Sequence, residues 1–283
     1  MQITFASEPA PAGHKGPTNT DTPGHKGPMN VDTPRHAGPM NIEGRVNEDL
    51  VVVGQGFVVV LDGATAPAGV ESGCGHSVAW LVGELAAQLV PPLAKGSQEP
   101  LADLLAEAIK GVGLVHEGTC DLSNPDSPSS TVSIVRAAGN QLDYLVLADS
   151  PVVMRDRQGR VEVVLDDRVG GLPEYTLEAV RRLRNQPGGF WAASTAPHAA
   201  YEALSGSRDL DGLDVVAVLT DGASRYAERY GHSWSALLGL LEDEGPAELI
   251  RQVHEADRVA VQGKTRGKQY DDASAVLWRL NQG

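Results

Sequence analysis

Apolar residues recur along the chain in two rhythms. Val215 to Leu219, Phe57 to Leu61 and Tyr144 to Ala148 are unbroken apolar runs of strand length, which predicts strands buried on both faces. Each run leads into an aspartate: Asp221-Gly222 after Thr220, Asp62-Gly63, and Asp149-Ser150. Asn47-Glu48-Asp49 precedes Leu50 to Val53, and Asp271-Asp272 precedes Ala273 to Leu280, so carboxylates recur at strand ends. The second rhythm is helical. Val78, Leu81, Val82, Leu85, Ala86 and Leu89 predict an amphipathic helix over Gly75 to Val90, ended by Pro91-Pro92. Leu101, Leu104, Leu105, Ala108, Ile109 and Val112 predict a second over Glu99 to Val115, and both should cover a sheet. Further helices are expected over Tyr175 to Asn185, Ser233 to Glu242 and Pro246 to Val261.

The remaining strands follow from alternation and turn chemistry. Ile3 and Phe5 mark a first strand over Gln2 to Ala6, and Gly54-Gln55-Gly56 joins two Val-rich runs as a hairpin. Thr131 to Val135, Gln141 to Ala148, Val152 to Arg155 and Arg160 to Leu165 read as a β-meander, with Phe190 to Ala193 a later strand. Strands and helices come in blocks, which favours a layered α+β domain over an alternating parallel fold. One segment breaks the pattern. Gly13 to Pro23, Gly24 to Pro34 and Arg35 to Gly44 are three copies at a period of eleven, the last one residue short, with Pro and Gly in each, which excludes a helix and predicts an exposed loop. A single domain over 1–283, with 10–44 an inserted loop, is the expected organisation. His14, His25 and His36 are read as passengers of the duplication rather than as a metal site.

Composition narrows the classes. Of 283 residues 41% are apolar and only 5% aromatic, so the core is built from Val, Leu and Ala. A formal net charge of −14 disfavours nucleic acid as a partner. No apolar run reaches the ~20 residues of a bilayer span, and Met1-Gln2-Ile3-Thr4 lacks a signal-peptide pattern, so no membrane is expected and the cytoplasm is the expected location. Cys74 and Cys120 lie in unrelated contexts without metal-ligand spacing and are read as structural thiols. His76 is read as a cap or surface group, His116, His198, His232 and His254 as unpartnered, and Trp80 and Trp278 as core. Lys264 to Lys268 is a basic loop just before Asp271, read as a solvated face.

A buried strand that ends in an ionised carboxylate is costly unless something positive binds beside it. Mg²⁺ and Mn²⁺ take carboxylate, carbonyl and water oxygens. Two such ions about 3.5–4 Å apart share a water, lower its pKa and hold it for attack on phosphorus. Glycine after aspartate, as in Asp62-Gly63 and Asp221-Gly222, lets backbone approach an ion closely.

Asn47-Glu48-Asp49, Val60-Leu61-Asp62-Gly63, Ser130-Thr131-Val132, Leu147-Ala148-Asp149-Ser150, Leu219-Thr220-Asp221-Gly222 and Asp271-Asp272-Ala273-Ser274 occur in this order. They resemble the ordered motifs of the type 2C, metal-dependent Ser/Thr protein phosphatases, most closely the shorter bacterial members of high-GC actinobacteria. The resemblance runs from about Ile3 to Leu280. It implies an α+β, four-layer α-β-β-α sandwich with a central antiparallel β-sandwich flanked by helices, and a centre of two Mn²⁺ or Mg²⁺ ions at one end. It further implies that Asp62 bridges both metals, that Gly63 lends its carbonyl, and that Asp221 and Asp271 complete the second ion's shell. Asp49, with Glu48 nearby, would act through water. Asp149 would help bind a third ion, Asp272 would stand beside the ligands, and Arg45 would receive the substrate phosphate. The implied activity is hydrolysis of phosphoserine and phosphothreonine esters by a metal-bridging hydroxide, in a monomer acting on phosphorylated proteins. Four departures mark the chain as divergent. Ala64-Thr65-Ala66-Pro67 replaces the segment ending in Gly-Gly, Arg45 lies three residues before Glu48, Ala148 replaces a glycine, and Asp272 replaces an asparagine. These changes keep the carboxylates and alter their surroundings, which leaves a catalytically inactive binding or sensor module as the alternative.

Overall fold

The computed structural model describes residues 2–11, 35–37, 46–64, 69–116, 118–174, 176–260 and 268–280. Arg45, residues 65–68, residues 261–267 and most of the eleven-residue repeat lie outside them. The strands are β1 (Gln2–Glu8), β2 (Arg35–Ala37), β3 (Asp49–Gly54), β4 (Phe57–Ala64), β5 (Ser129–Ala138), β6 (Gln141–Leu147), β7 (Val152–Asp156), β8 (Val161–Val164), β9 (Leu204–Asp209), β10 (Leu213–Leu219) and β11 (Ala273–Arg279). The helices are α1 (Val78–Ala94), α2 (Leu101–His116), α3 (Leu177–Leu183), α4 (Asp221–Glu228), α5 (Trp234–Asp243) and α6 (Pro246–Val259). None of the described helices is long and apolar enough to cross a membrane.

Two antiparallel sheets form, one in the order β1-β11-β10-β7-β8 and one in the order β2-β3-β4-β5-β6-β9. Alternation along each strand divides its side chains between two cores. In β4, Val58 and Val60 enter the layer between the sheets, while Phe57, Val59 and Leu61 face α1 and α2. In β10, Val216 and Val218 meet the same central layer, while Val215, Ala217 and Leu219 pack under α4, α5 and α6. Three stacked apolar cores therefore make the four-layer α-β-β-α sandwich expected from the motifs. The unbroken apolar runs are explained by helices covering the outer face of both sheets, not by a parallel arrangement.

Several local expectations are corrected. The first helix does not stop at Pro91-Pro92 but runs through them to Ala94. The prolines remove donors to the carbonyls of Ala87 and Gln88, both on the exposed face, while Leu89 and Leu93 anchor the last turn in the core. Arg35–Ala37, inside the segment read as an exposed loop, pairs with the edge of β3 as β2. Strand β9 carries no apolar alternation and has no counterpart in the sequence pattern; Gly206 admits the Tyr144 hydroxyl, which an added Cβ would meet at 2.4 Å. The predicted strand over Phe190 to Ala193 reduces to isolated bridges, Arg184 with Phe190 and Ser130 with Ala193. Ala148 adopts φ +66°, the left-handed conformation that glycine favours, and the Asp166 carboxylate accepts from its N–H at 3.1 Å.

Candidate functional site

Strand pairing alone brings the acidic strand ends together. Asp49 opens β3 and Asp62 lies near the end of β4, and the two are register partners. Thr131, opposite Asp62 on β5, offers its Oγ1 to the Asp62 N–H at 3.2 Å and lies 2.6 Å from the Ser150 hydroxyl, so Asp149-Ser150 falls at the same end. The second sheet arrives through β10 and β11. Thr220 N–H donates to the Ser274 carbonyl, and the Thr220 and Ser274 hydroxyls donate to Asp49 Oδ2 at 3.0 and 2.8 Å. Asp49 is buried, and its other oxygen, Oδ1, has no hydrogen-bond partner among the described residues. Asp62, Asp149, Asp221, Asp271 and Asp272 keep an edge to solvent around it. The repeated strand-end aspartates thus meet at one end of the sandwich and, Asp49 apart, stay partly exposed there.

Glycines allow this end to close. Gly63 N–H donates to the Glu48 carbonyl at 3.2 Å, and a Cβ there would stand 2.3 Å from Val78 and 2.8 Å from that carbonyl oxygen. Gly222 is tighter still, since an added Cβ would lie 1.9 Å from the Asp272 carbonyl oxygen. Asp221 begins α4, with Thr220 at the N-cap. The Thr220 side chain makes no cap bond, because its hydroxyl is committed to Asp49. The Asp272 carboxylate accepts from the N–H groups of Glu48 (2.7 Å) and Ala10 (2.8 Å), tying two incoming segments to the site.

Electrostatics follow from burial and like charge. Burial, then repulsion from Asp272, pushes Asp49 well above the ordinary carboxylate value. Burial, then Asp49, Asp221, Asp271 and Asp149, does the same to Asp62. Asp149 is pushed up to about 7 by burial and by Asp221. Burial and Asp271 raise Asp221 to about 6 against the pull of Arg225 and Lys268. These carboxylates resist sharing one end of the molecule unless a cation joins them, and the bare Asp49 Oδ1 is an oxygen donor in need of a partner. The donor set is oxygen throughout and therefore suits Mg²⁺ or Mn²⁺.

Two cations are already present. Buried Arg225 reaches Asp271 at 2.8 Å and Asp257 at 3.2 Å, and Lys268 Nζ lies 3.2 Å from Asp271 Oδ1. Lys268, read from sequence as part of a solvated loop, is exposed, and its ammonium reaches the acidic end. Partial desolvation opposes its charge, but Asp271, Asp62 and Glu48 outweigh it and raise its pKa. Thr220, Ser274 and Arg225 were not singled out from the sequence. Thr220 and Ser274 sit inside the quoted motifs, where their neighbours are the signal, whereas Arg225 carries no pattern. Arg45, expected to receive phosphate, is outside the described residues.

The cysteines and two histidines require a correction. Cys74, His76, His116 and Cys120, read as unconnected, place one ligand atom each within 4.8 Å of one another. Packing of α1 on α2 closes the sequence gap between the two pairs. Trp80, expected in the core, is partly buried and stacks on His76 and His116 at ring-centroid distances of 4.0 and 4.6 Å.

The model of the protein phosphatase 2C family matches residues 42–254 of this chain. The chain belongs to that family. The fold is that of solved PPM Ser/Thr phosphatases of bacteria. MsPP of Mycobacterium smegmatis, solved with cacodylate, is 15% identical, with a TM-score of 0.52 over 98% of this chain and 97% of its own. The PstP/Ppp phosphatase of Mycobacterium tuberculosis is 18% identical, with a TM-score of 0.53 over 87% and 96%. A PstP catalytic domain solved with two manganese ions is 19% identical, with a TM-score of 0.52 over 87% and 95%. No curated protein matches the chain.

Proposed function

We propose that the chain is a metal-dependent protein serine/threonine phosphatase whose acidic end holds two Mn²⁺ or Mg²⁺ ions. The observation that carries this reading is Asp49 Oδ1, a buried and unpartnered carboxylate oxygen among four further aspartates, Asp62, Asp149, Asp221 and Asp271, in a chain of this family. Two manganese ions in the related PstP domain support the choice of metal. Asp62, the Gly63 carbonyl, Asp221 and Asp271 would be the direct ligands, Asp49 and Glu48 would act through water, and Asp149 would serve a third ion. Bound there, such ions would polarise a phosphoryl oxygen and lower the pKa of a water poised to attack phosphorus.

The chain's own groups supply the rest. Thr220 and Ser274 occupy Oδ2 of the Asp49 carboxylate, which leaves Oδ1 available to a ligand. Asp272 holds Glu48 in place through backbone hydrogen bonding rather than by ligation. Asp149, near pKa 7, holds a proton on its carboxyl group part of the time at neutral pH in the ion-free chain. Arg45 would take phosphate oxygens in its planar fork. The whole of 1–283 is read as one phosphatase domain, because β1 and β11, from opposite ends of the chain, pair with each other. Phosphorylated proteins as substrates, a monomeric state and a cytoplasmic location belong to the same reading.

A second reading has a specific observation behind it. Asp271 is already shared between Arg225 and Lys268, which would suit a phosphatase-like binding or sensor module that no longer turns over. Phosphate release from a phosphothreonine peptide, with Mn²⁺ or with chelator, separates the two. The enzyme reading expects Mn²⁺-dependent turnover that falls about a thousandfold or more in Asp221→Asn. Absence of turnover with Mn²⁺ would favour the module, and full activity in Asp221→Asn would remove the acidic end as the site.

A further inference from the structure

We propose that Cys74, His76, His116 and Cys120 form a tetrahedral zinc site that clips the loop entering α1 to the end of α2. The pattern is Cys-x-His before α1, followed by His-x-x-x-Cys starting at the last residue of α2. Cys74 Sγ lies 3.3 Å from Cys120 Sγ, 3.5 Å from His76 Nδ1 and 3.8 Å from His116 Nε2, and Cys120 Sγ lies 3.3 Å from His76 Nδ1. With Zn–S of about 2.3 Å and Zn–N of about 2.0–2.1 Å, the edges of a Cys₂His₂ tetrahedron run from about 3.3 to 3.8 Å. By type, the S···N edges are about 3.5–3.6 Å and the S···S edge about 3.8 Å. The three S···N separations lie within about 0.3 Å of that edge, the sulfurs stand about 0.4–0.5 Å closer than theirs, and the remaining two pairs stay within 4.8 Å.

The surroundings are those of a closed structural site. The His76 N–H donates to Cys74 Sγ at 3.3 Å and the Thr119 hydroxyl to Cys120 Sγ at 3.7 Å, contacts that stabilise thiolate charge. His116 is buried, and its ring stacks with Trp80 and with His76 (4.9 Å), fixing both imidazole planes. The two loops that bear the cysteines are tied to each other away from the ligands. Asp121 N–H donates to the Gly73 carbonyl at 2.8 Å, and Asn124 Nδ2 to the Glu71 carbonyl at 3.0 Å. Gly73, at φ +68°, has no room for a side chain, since a Cβ there would meet Asn124 and Asp121. Sulfurs 3.3 Å apart are not bonded, because a disulfide holds them at about 2.03–2.05 Å. Two thiolates and two imidazoles are soft and borderline donors, which select zinc and not the Mg²⁺ or Mn²⁺ suited to the acidic end. Two thiolates also balance the charge of one Zn²⁺, so binding releases the thiol protons. Four protein ligands leave no open position, which makes the role structural.

The test uses the full chain, loaded with Zn²⁺ in excess Mn²⁺ and then desalted, with metal content measured by mass spectrometry. Wild type and Asp221→Asn should each keep about one zinc per chain, and Cys74→Ser/Cys120→Ser less than about a tenth of that. Cobalt-loaded wild type should show a thiolate-to-cobalt charge-transfer band that Cys120→Ser lacks. A third readout needs no variant: both thiols of the zinc-loaded native protein should resist alkylation and become reactive when chelator is added. Equal zinc in the double-cysteine variant, loss of zinc in Asp221→Asn, a cobalt spectrum without the charge-transfer band, or thiols equally reactive with and without chelator would each overturn the proposal. So would recovery of a Cys74–Cys120 cross-linked peptide from zinc-loaded protein.

Discussion

The acidic end of the sandwich and the cysteine–histidine cluster where α1 meets α2 both bring titratable groups together, by opposite routes. At the acidic end, Asp49, Asp62, Asp149, Asp221 and Asp271 each come from a different strand end, and antiparallel pairing assembles them from both sheets. The ligands of the second cluster come from the loop entering α1, the end of α2 and the loop after it, joined by one pair of packed helices. The first is made of hard oxygen donors that repel one another, keep an edge to solvent and leave Asp49 Oδ1 bare. The second is made of soft donors already gathered within 4.8 Å of one another. An open oxygen site suits chemistry on a bound substrate, whereas a closed sulfur and nitrogen site suits holding two helices in place. If the two are as distinct as their donors, each should be disturbed without the other.

Gly222→Ala should give the largest effect and confine it to the acidic end. A Cβ placed 1.9 Å from the Asp272 carbonyl oxygen forces α4 away from the start of β11, at a cost of about 2–3 kcal/mol for overpacking. For a domain of this size that lowers the melting temperature by about 5–10 °C. Calorimetry should show that fall together with weaker Mn²⁺ binding, while zinc retention is unchanged. An unaltered melt would mean that the close approach of Gly222 to Asp272 is not kept in solution.

The two regions should also respond oppositely to pH. Asp149 at about 7 and Asp221 at about 6 lie above their ordinary 3.8, so the ion-free folded chain binds more protons than the unfolded chain in between. The stability that these groups contribute is therefore largest below about pH 4 and is lost as pH rises towards about 7. Chemical denaturation in chelator should show this fall, and saturating Mn²⁺ should remove it, because the cation replaces the protons. Zinc affinity should instead drop as pH falls, since protons compete for the thiolates and imidazoles. Ion-free stability that rises between about pH 4 and 7 would contradict the account of mutual repulsion.

A smaller effect is expected at Lys268, whose ammonium lies 3.2 Å from Asp271 and raises the positive potential at the acidic end. Lys268→Gln should tighten Mn²⁺ binding by about three- to tenfold, roughly 1 kcal/mol for one nearby charge in a partly solvated site. Titration calorimetry reads this directly, with zinc content as the unchanged control. Weaker Mn²⁺ binding in this variant would mean that Lys268 organises the site rather than competing with the cation.

What could be read from the chain follows the same division. Layer order was legible because Val58, Val60, Val216 and Val218 alternate with residues that face helices, and every such strand is apolar on both sides. The acidic end was legible because its aspartates sit at a fixed place relative to those strands. Arg225 was not, since its partners Asp257 and Asp271 are 32 and 46 positions away and only the packing of α4 on α6 and β11 joins them. Strand β9 escaped because Leu204 to Asp209 is polar and exposed, its register set by Tyr144 against Gly206. The Cys-x-His and His-x-x-x-Cys pairs are individually weak patterns. They become one site only when α1 folds back on α2, a distance that no local spacing encodes.

Anomalous diffraction from one crystal grown with both Mn²⁺ and Zn²⁺, measured on either side of each metal's absorption edge, tests this separation most directly. Manganese signal should lie among Asp49, Asp62, Asp221 and Asp271, and a single zinc peak among Cys74, His76, His116 and Cys120. Zinc at the aspartates with none at the cysteines, or manganese absent from the acidic end, would contradict the account.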